Sequence, residues 1–141
     1  MIDELAVAAA MVITTVLMHG VGLAILSKLL RLESREERRL NIHPLSPSGI
    51  GFTLLIVIGL FFLHGLEIWA YAALFLVLGA IPDLYTAVYF STITYGTIGY
   101  DDDPIAGRWS LVSAIEGING VLLLGWSTAF FVTVVARLGR S

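Results

Sequence analysis

The chain has 141 residues, of which 57% are hydrophobic and 13% are charged, and its net charge is −3. A soluble domain of this size needs more charge on its surface, so the composition favours a membrane protein made of a few spanning helices. The sequence contains no cysteine, which excludes disulfides and thiolate metal sites. Nothing in it indicates nucleic-acid binding.

The first predicted element is a membrane-spanning helix from about Leu5 to Leu30. At about 1.5 Å per residue this run is long enough for the hydrocarbon core of a bilayer. The chain starts without the positive region of a signal peptide, so we expect the helix to be retained. We expect His19, inside it, to be a packed or lipid-shielded polar residue rather than a metal ligand. No His, Asp or Glu spacing suggests a zinc site.

The polar segment 31–48 follows, with glutamates interspersed among its arginines. This pattern predicts a helical extension in solvent, with contact to lipid headgroups as the alternative. Two prolines near its end precede the second apolar run, 49–80, which is longer than one simple crossing needs. Its far end is therefore expected to project outside or to bend near Glu67. His64 and Glu67 share a helix face, either as a pair near the outer headgroups or as a proton-sensitive pair.

Between the second and third spans lies a short segment of mixed polarity. Pro82-Asp83 reads as a helix start with Asp83 as the N-cap. The helix predicted from Leu84 to Thr94 has about three turns, which is too short to cross a bilayer. A short helix followed by the glycine-containing segment 96–99 is typical of a re-entrant loop, because non-helical backbone at membrane depth must be buried or line an aqueous path.

The third span runs from about Trp109 to Val135, and the basic residues give the orientation. Arg108 stands alone on one side of the membrane. The other seven Lys and Arg residues lie together on the opposite side: Lys28, Arg31, Arg35, Arg38, Arg39, Arg137 and Arg140. The positive-inside rule then predicts that the N-terminus is outside and the C-terminus is cytoplasmic, so the loop enters from outside.

Residues 87–102, AVYFSTITYGTIGYDD, resemble the pore helix and selectivity filter of the potassium-channel superfamily. That family ends its pore helix with aromatics, Ser and Thr, followed by Thr-Val-Gly-Tyr-Gly-Asp. With its flanking helices, the resemblance covers roughly 49–135. It implies an all-α membrane protein with three transmembrane helices, a re-entrant pore helix and a filter, assembled as a homotetramer.

The implied organisation has two parts. Residues 1–48 form an N-terminal transmembrane helix with a basic cytoplasmic loop, and this helix packs peripherally on the lipid side of the tetramer. Residues 49–141 form the pore domain, with an outer helix at 49–80, a pore helix and filter at 83–103, and an inner helix at 109–137.

The implied filter is Thr97-Ile98-Gly99-Tyr100-Asp101. Four extended copies present rings of backbone oxygens that replace the water shell of K⁺, here at Thr97 to Tyr100. Gly99 permits a backbone geometry that residues with a Cβ resist. Ile98 and Tyr100 are expected to point away from the axis and pack behind the filter. The residues expected to support the pore helix and filter are Ser91, Thr94 and Glu116.

Two departures from the family pattern bear on selectivity. Asp101 replaces the final glycine, and Gly96 replaces the usual preceding threonine. A second register of the motif, 92–96, also matches four of five positions. Asp101, Asp102 and Asp103 either form an anionic mouth that concentrates cations and binds a divalent ion, or make a polar turn before Pro104.

The third span resembles a channel inner helix. Gly117, Gly120 and Gly125 stand where close packing or a gating bend needs a small residue, and Gly120 is the candidate for either role. Leu124 and Thr128, four residues apart, are expected to line a cavity. Val132, one turn further, is expected to form a hydrophobic constriction.

The sequence therefore predicts a tetrameric cation channel, most simply for potassium, in a prokaryotic plasma membrane, with membrane lipids as its other partners. One alternative is a weakly selective or divalent-sensitive channel that passes or binds Na⁺, Ca²⁺ or Mg²⁺. The other is a non-conducting regulatory or structural membrane protein. No nucleophile–base arrangement or cofactor fingerprint appears, so we expect neither catalysis nor an organic cofactor.

Overall fold

The structure, a computed structural model, describes residues 1–40, 46–99, 105 and 107–138. Its four α-helices are α1 (Ile2–Leu40), α2 (Pro47–Val77), α3 (Leu84–Tyr95) and α4 (Ser110–Leu138). Three of them contain segments long and apolar enough to cross a membrane, namely Ile2–Leu30, Pro47–Val77 and Ser110–Ala136. The predicted all-α membrane fold is therefore confirmed.

Each end of α2 is fixed by local chemistry. The Ser46 hydroxyl accepts a hydrogen bond from the Gly49 N–H (3.2 Å), and Pro47 occupies the first turn, where its missing N–H costs nothing. At the other end, Gly79 adopts a positive φ of 64°, the left-handed conformation that commonly ends a helix. The helix runs unbroken past Glu67 and ends three residues before the predicted boundary.

The helix α3 begins where the sequence predicted. The Asp83 carboxylate accepts the Thr86 N–H (2.9 Å) as an N-cap, and the helix continues for 12 residues to Tyr95. At about 1.5 Å per residue it spans about 18 Å, well short of a bilayer core of about 30 Å. Because Thr92 to Tyr95 are helical, they are not available as an extended filter strand. The alternative register at 92–96 is therefore wrong.

Two apolar clusters hold the helices together. The first joins α2, α3 and the start of α4 to the N-terminal part of α1, and its buried members include Ala8, Phe75, Phe90 and Val112. The second packs the later part of α1 against the first half of α2. Because α1 contributes to both clusters and contacts both α2 and α4, it belongs to the core of the subunit. Its predicted lipid-side position in a tetramer stays a prediction.

Candidate functional site

The segment after α3 is fixed to the end of that helix. The Ile98 and Gly99 N–H groups both donate to the Ile93 carbonyl (2.8 and 3.2 Å), and the Thr97 N–H donates to the Thr94 carbonyl (2.9 Å). Gly99 has a φ of 53° and Thr97 a φ of 58°. The left-handed region costs a residue with a Cβ about 1–2 kcal/mol, so the conformation of Thr97 has to be held by its surroundings.

In the single subunit, residues 96–99 are exposed, and the side chain of Ile98 is 59% accessible. The Thr97 hydroxyl donates to the Gly96 carbonyl (2.7 Å). The remaining predicted filter and mouth residues, Tyr100 and Asp101 to Asp103, lie outside the described residues.

The end of α3 rests directly on the backbone of α4. A Cβ added to Gly120 would lie 2.2 Å from the Tyr95 carbonyl oxygen, and one added to Gly117 would lie 3.3 Å from the Thr94 carbonyl oxygen. No such contact exists at Gly125, where nothing lies within 4 Å. Of the two roles that the sequence allowed for Gly120, the structure therefore provides direct evidence for close packing.

Ser91 of α3 and Glu116 of α4 are both fully buried. The Ser91 hydroxyl lies close enough to interact with the Glu116 carboxyl group, although no hydrogen bond of normal geometry reaches either group within the described part of the chain. Glu116 therefore faces the pore helix, and its hydrogen bond to that helix stays a prediction. Burying a carboxyl group without a partner costs free energy, which marks Glu116 as a functional candidate.

A second group of polar side chains joins all four helices. We call it the Glu67 cluster. The two oxygens of Glu67 lie 2.9 Å from His19 Nδ1 and 3.2 Å from His64 Nδ1, and the Tyr95 hydroxyl donates to the second oxygen (2.5 Å). Ser127 Oγ lies 2.9 Å from His64 Nε2 and 3.3 Å from His19 Nε2. His19 and Glu67 are completely buried.

The Glu67 cluster adds contacts that the sequence did not indicate. Glu67 is buried against α1 and α3 as well as paired with His64. Although no metal-ligand spacing appears in the sequence, His19, His64 and Glu67 bring one possible ligand atom each within 4.8 Å of one another. His19 is packed, as predicted.

Asn119 makes a further link between spans. Its amide donates to Thr15 Oγ1 (2.8 Å) on α1 and to the Tyr71 hydroxyl (3.2 Å) on α2. All three residues are buried. The bond from Asn119 to Thr15, together with the Glu67 cluster, therefore holds α1 against the rest of the subunit through polar contacts in addition to apolar packing.

The cavity and gate candidates lie on an uncovered face of α4. The side chains of Leu124 and Val132 are 38% and 58% accessible, and Thr128 between them is exposed, with its hydroxyl bonded to the Leu124 carbonyl (2.8 Å). Trp126, on the same helix, contacts His19 within the subunit, with ring centroids 5.3 Å apart, while its side chain stays 45% accessible.

Sequence reasoning missed the roles of Tyr95, Ser127 and Asn119. A signal was present, because each span carries polar residues three or four positions apart: Thr15 and His19 on α1; His64, Glu67 and Tyr71 on α2; Glu116 and Asn119 on α4. Polar residues inside spans tend to pair with one another. Which of them meet depends on the rotation of each helix, and the spacing alone does not give it.

The comparison with known families identifies the class of protein. The sequence model of the ion channel family matches residues 53–137, more than half of the chain. The chain therefore belongs to this family and is an integral membrane ion channel, which confirms the resemblance to the potassium-channel superfamily. The match covers most of α2, all of α3 and nearly all of α4, and leaves α1 outside. A search of curated proteins found no match, and a search of the solved structures found none.

Proposed function

We propose that four copies of this chain surround a common axis and conduct potassium through the backbone carbonyls of Thr97 to Tyr100. The main support for the proposal is the position of α3 against α4. This helix is too short to cross, begins at an N-cap and ends against the α4 backbone at Gly120. The segment that follows it carries the filter-like sequence, so four such ends would bring four filters together.

The direction of α3 supports cation binding. The carbonyl end of a helix carries a partial negative charge of about half an elementary charge. Here that end lies at Tyr95, directly before residues 96–99. Four helices with their carbonyl ends toward one axis would stabilise a cation there without placing a carboxylate in the pore.

The exposed face of α4 supports the same assembly. Leu124, Thr128 and Val132 are uncovered in the single subunit, and four copies would line a cavity below the filter. In the proposed orientation, which follows the positive-inside rule, the C-terminus is cytoplasmic and the filter faces outside. This orientation would put Asp101 to Asp103 at the outer mouth, where twelve carboxylates in four chains would concentrate cations. The proposal includes no catalytic activity.

A weakly selective, divalent-sensitive channel is the second candidate, and Asp101 favours it. A carboxylate stands where the family has its last filter glycine, so the outermost carbonyl ring differs from the pattern. Oxygen-rich rings also suit Ca²⁺ and Mg²⁺. The substitution Asp101→Gly restores the family residue and separates the two candidates.

The test has two parts. Native mass spectrometry of the detergent-solubilised protein should give a tetramer, and liposomes loaded with KCl should accumulate external Rb⁺ against a sodium background. We expect uptake to be blocked by external Ca²⁺ in the wild type and less so in Asp101→Gly, with Asp3→Gly as the control for lost charge. A folded tetramer that takes up no cation would contradict conduction. Equal uptake driven by sodium and potassium gradients would favour the weakly selective channel.

A further inference from the structure

Each of the two histidines of the Glu67 cluster lies between the same two groups, the Glu67 carboxylate and the Ser127 hydroxyl. Both Nδ1 atoms face the Glu67 carboxylate, at 2.9 and 3.2 Å, and both Nε2 atoms face the Ser127 hydroxyl, at 3.3 and 2.9 Å. The Nδ1 atom of His64 also lies 2.9 Å from the Tyr95 hydroxyl. The ring centroids lie 5.2 Å apart. One histidine comes from α1 and the other from α2, so the arrangement depends on how the two helices pack.

When both imidazoles are neutral and carry their proton on Nδ1, the protons available do not satisfy this arrangement. A carboxylate accepts only, so each ring best places its single proton on Nδ1, toward Glu67. Both Nε2 atoms are then acceptors, and both face one serine hydroxyl that has a single proton to donate. One buried ring nitrogen is left without a donor in this tautomer, which costs free energy in a membrane interior. Two metal-free arrangements avoid that cost: a second proton on His19, paired with Glu67, or the Nε2–H tautomer of His64 with the Tyr95 hydroxyl donating to its Nδ1.

A divalent metal ion beside the carboxylate would satisfy the same groups in another way, and the three ligand atoms of His19, His64 and Glu67 already lie within 4.8 Å of one another. Each ring would then ligate the metal through Nδ1 and carry its proton on Nε2. Ser127 Oγ has two lone pairs, so it accepts both N–H groups. Its own proton is free to bond a carbonyl of its helix, as serine hydroxyls commonly do. Such an orienting partner on the second ring nitrogen is characteristic of metal-bound histidines.

We propose that His19, His64 and Glu67 form a site for a divalent transition-metal ion of the Zn²⁺ type. Bonds of about 2.0–2.1 Å in a tetrahedral site place neighbouring ligand atoms about 3.3 Å apart, and the nitrogen–oxygen distances of 2.9 and 3.2 Å are close to this. Two imidazoles and one carboxylate favour Zn²⁺ over the oxygen-seeking Ca²⁺ and Mg²⁺. The site is separate from the proposed filter, and it does not depend on conduction.

Because of where the site lies, a bound metal ion would have two structural effects. His19 lies on α1, outside the part of the chain that matches the family, so the ion would fasten this extra helix to α2. Tyr95, the last residue of α3, hydrogen-bonds Glu67 and would lie directly beside the ion. The ion would enter past His64, whose side chain is 12% accessible, because His19 and Glu67 are completely buried.

The direct test is zinc binding by the full-length protein in detergent after chelator treatment. We expect one zinc ion per chain by elemental analysis after desalting, and a rise in melting temperature with added Zn²⁺ but not with Mg²⁺. His19→Asn should weaken zinc binding at least about tenfold. An asparagine amide can still donate to Glu67 from near the Nδ1 position, so this variant retains the hydrogen bond while losing the ligand.

The matched control is His43→Asn, which changes the remaining histidine of the chain and should leave zinc binding unchanged. If the wild type binds no zinc and shows no shift in melting temperature, the proposal is wrong, and the cluster is a hydrogen-bonded network. Equal zinc binding by a folded His19→Asn protein would also overturn it. If that variant does not fold, X-ray absorption of the zinc-loaded wild type decides: two imidazole ligands support the site, and coordination by carboxylates alone contradicts it.

Discussion

Replacing Gly120 with alanine tests whether the seating of α3 on α4 determines the geometry of the filter. The added Cβ would stand 2.2 Å from the Tyr95 carbonyl oxygen, 2.9 Å from its carbonyl carbon and 3.1 Å from its Cα. Close carbon–oxygen contacts in proteins are about 3.3 Å or longer. The end of α3 must therefore move by about 1 Å. Because all three neighbours are backbone atoms, no side-chain rotation relieves the clash.

The control for Gly120→Ala is Gly125→Ala on the same helix, where nothing lies within 4 Å of the added Cβ. Both substitutions gain helix propensity, up to about 1 kcal/mol each. The difference in stability between the two variants therefore measures the cost of overpacking, which is typically about 1–3 kcal/mol. Gly117→Ala should be milder, because its Cβ would lie 3.3 Å from the Thr94 carbonyl oxygen.

We expect Gly120→Ala to melt at a lower temperature than Gly125→Ala. We also expect a lower ratio of potassium to sodium flux in liposomes, because binding geometries have to be held to within about 0.5 Å. A change in total flux at unchanged selectivity would instead fit a gating bend at Gly120. If the two alanine variants melt and conduct alike, the reasoning about α3 is refuted.

Two further predictions concern the ends of α3. Tyr95→Phe removes the hydroxyl that donates to Glu67, which should cost about 1–3 kcal/mol of stability, whereas Tyr85→Phe, at a side chain 81% accessible, should melt as the wild type does. Asp83→Ala removes the N-cap and should lower the melting temperature at neutral pH. The Thr86 N–H holds the pKa of the Asp83 carboxyl below its usual value, so the difference from wild type should shrink as the pH falls through that pKa. An equal difference at all pH values would contradict the capping role.

The sequence predicted the fold well because the signals were local. Apolar length predicted the three spans, and Asp83 after a proline predicted the start of α3 to the residue. The resemblance pointed to residues 97–101 as the filter, and in the structure Gly99 has the positive φ that a glycine permits. These inferences required no knowledge of how each helix is rotated or of which residues lie beside it.

The contacts between helices were not predictable in the same way. The spacing of His64 and Glu67 showed a shared face, but only the packing of α1 shows that His19 meets Glu67. Tyr95 appeared in the sequence as one more aromatic at the end of the pore helix, and its hydroxyl contacts become visible only in three dimensions. Gly120 likewise had two roles open until the position of the Tyr95 carbonyl was known.

The central claim is that the chain forms a potassium-selective pore, and the reversal potential of single channels tests it most directly. Purified tetramers would be placed in a planar bilayer with KCl on one side and NaCl on the other. The account predicts unitary currents whose reversal potential is displaced far from zero, with the NaCl side positive, because only potassium would carry the current. A reversal potential near zero would contradict potassium selectivity, and the absence of unitary currents from folded tetramers would contradict the pore itself.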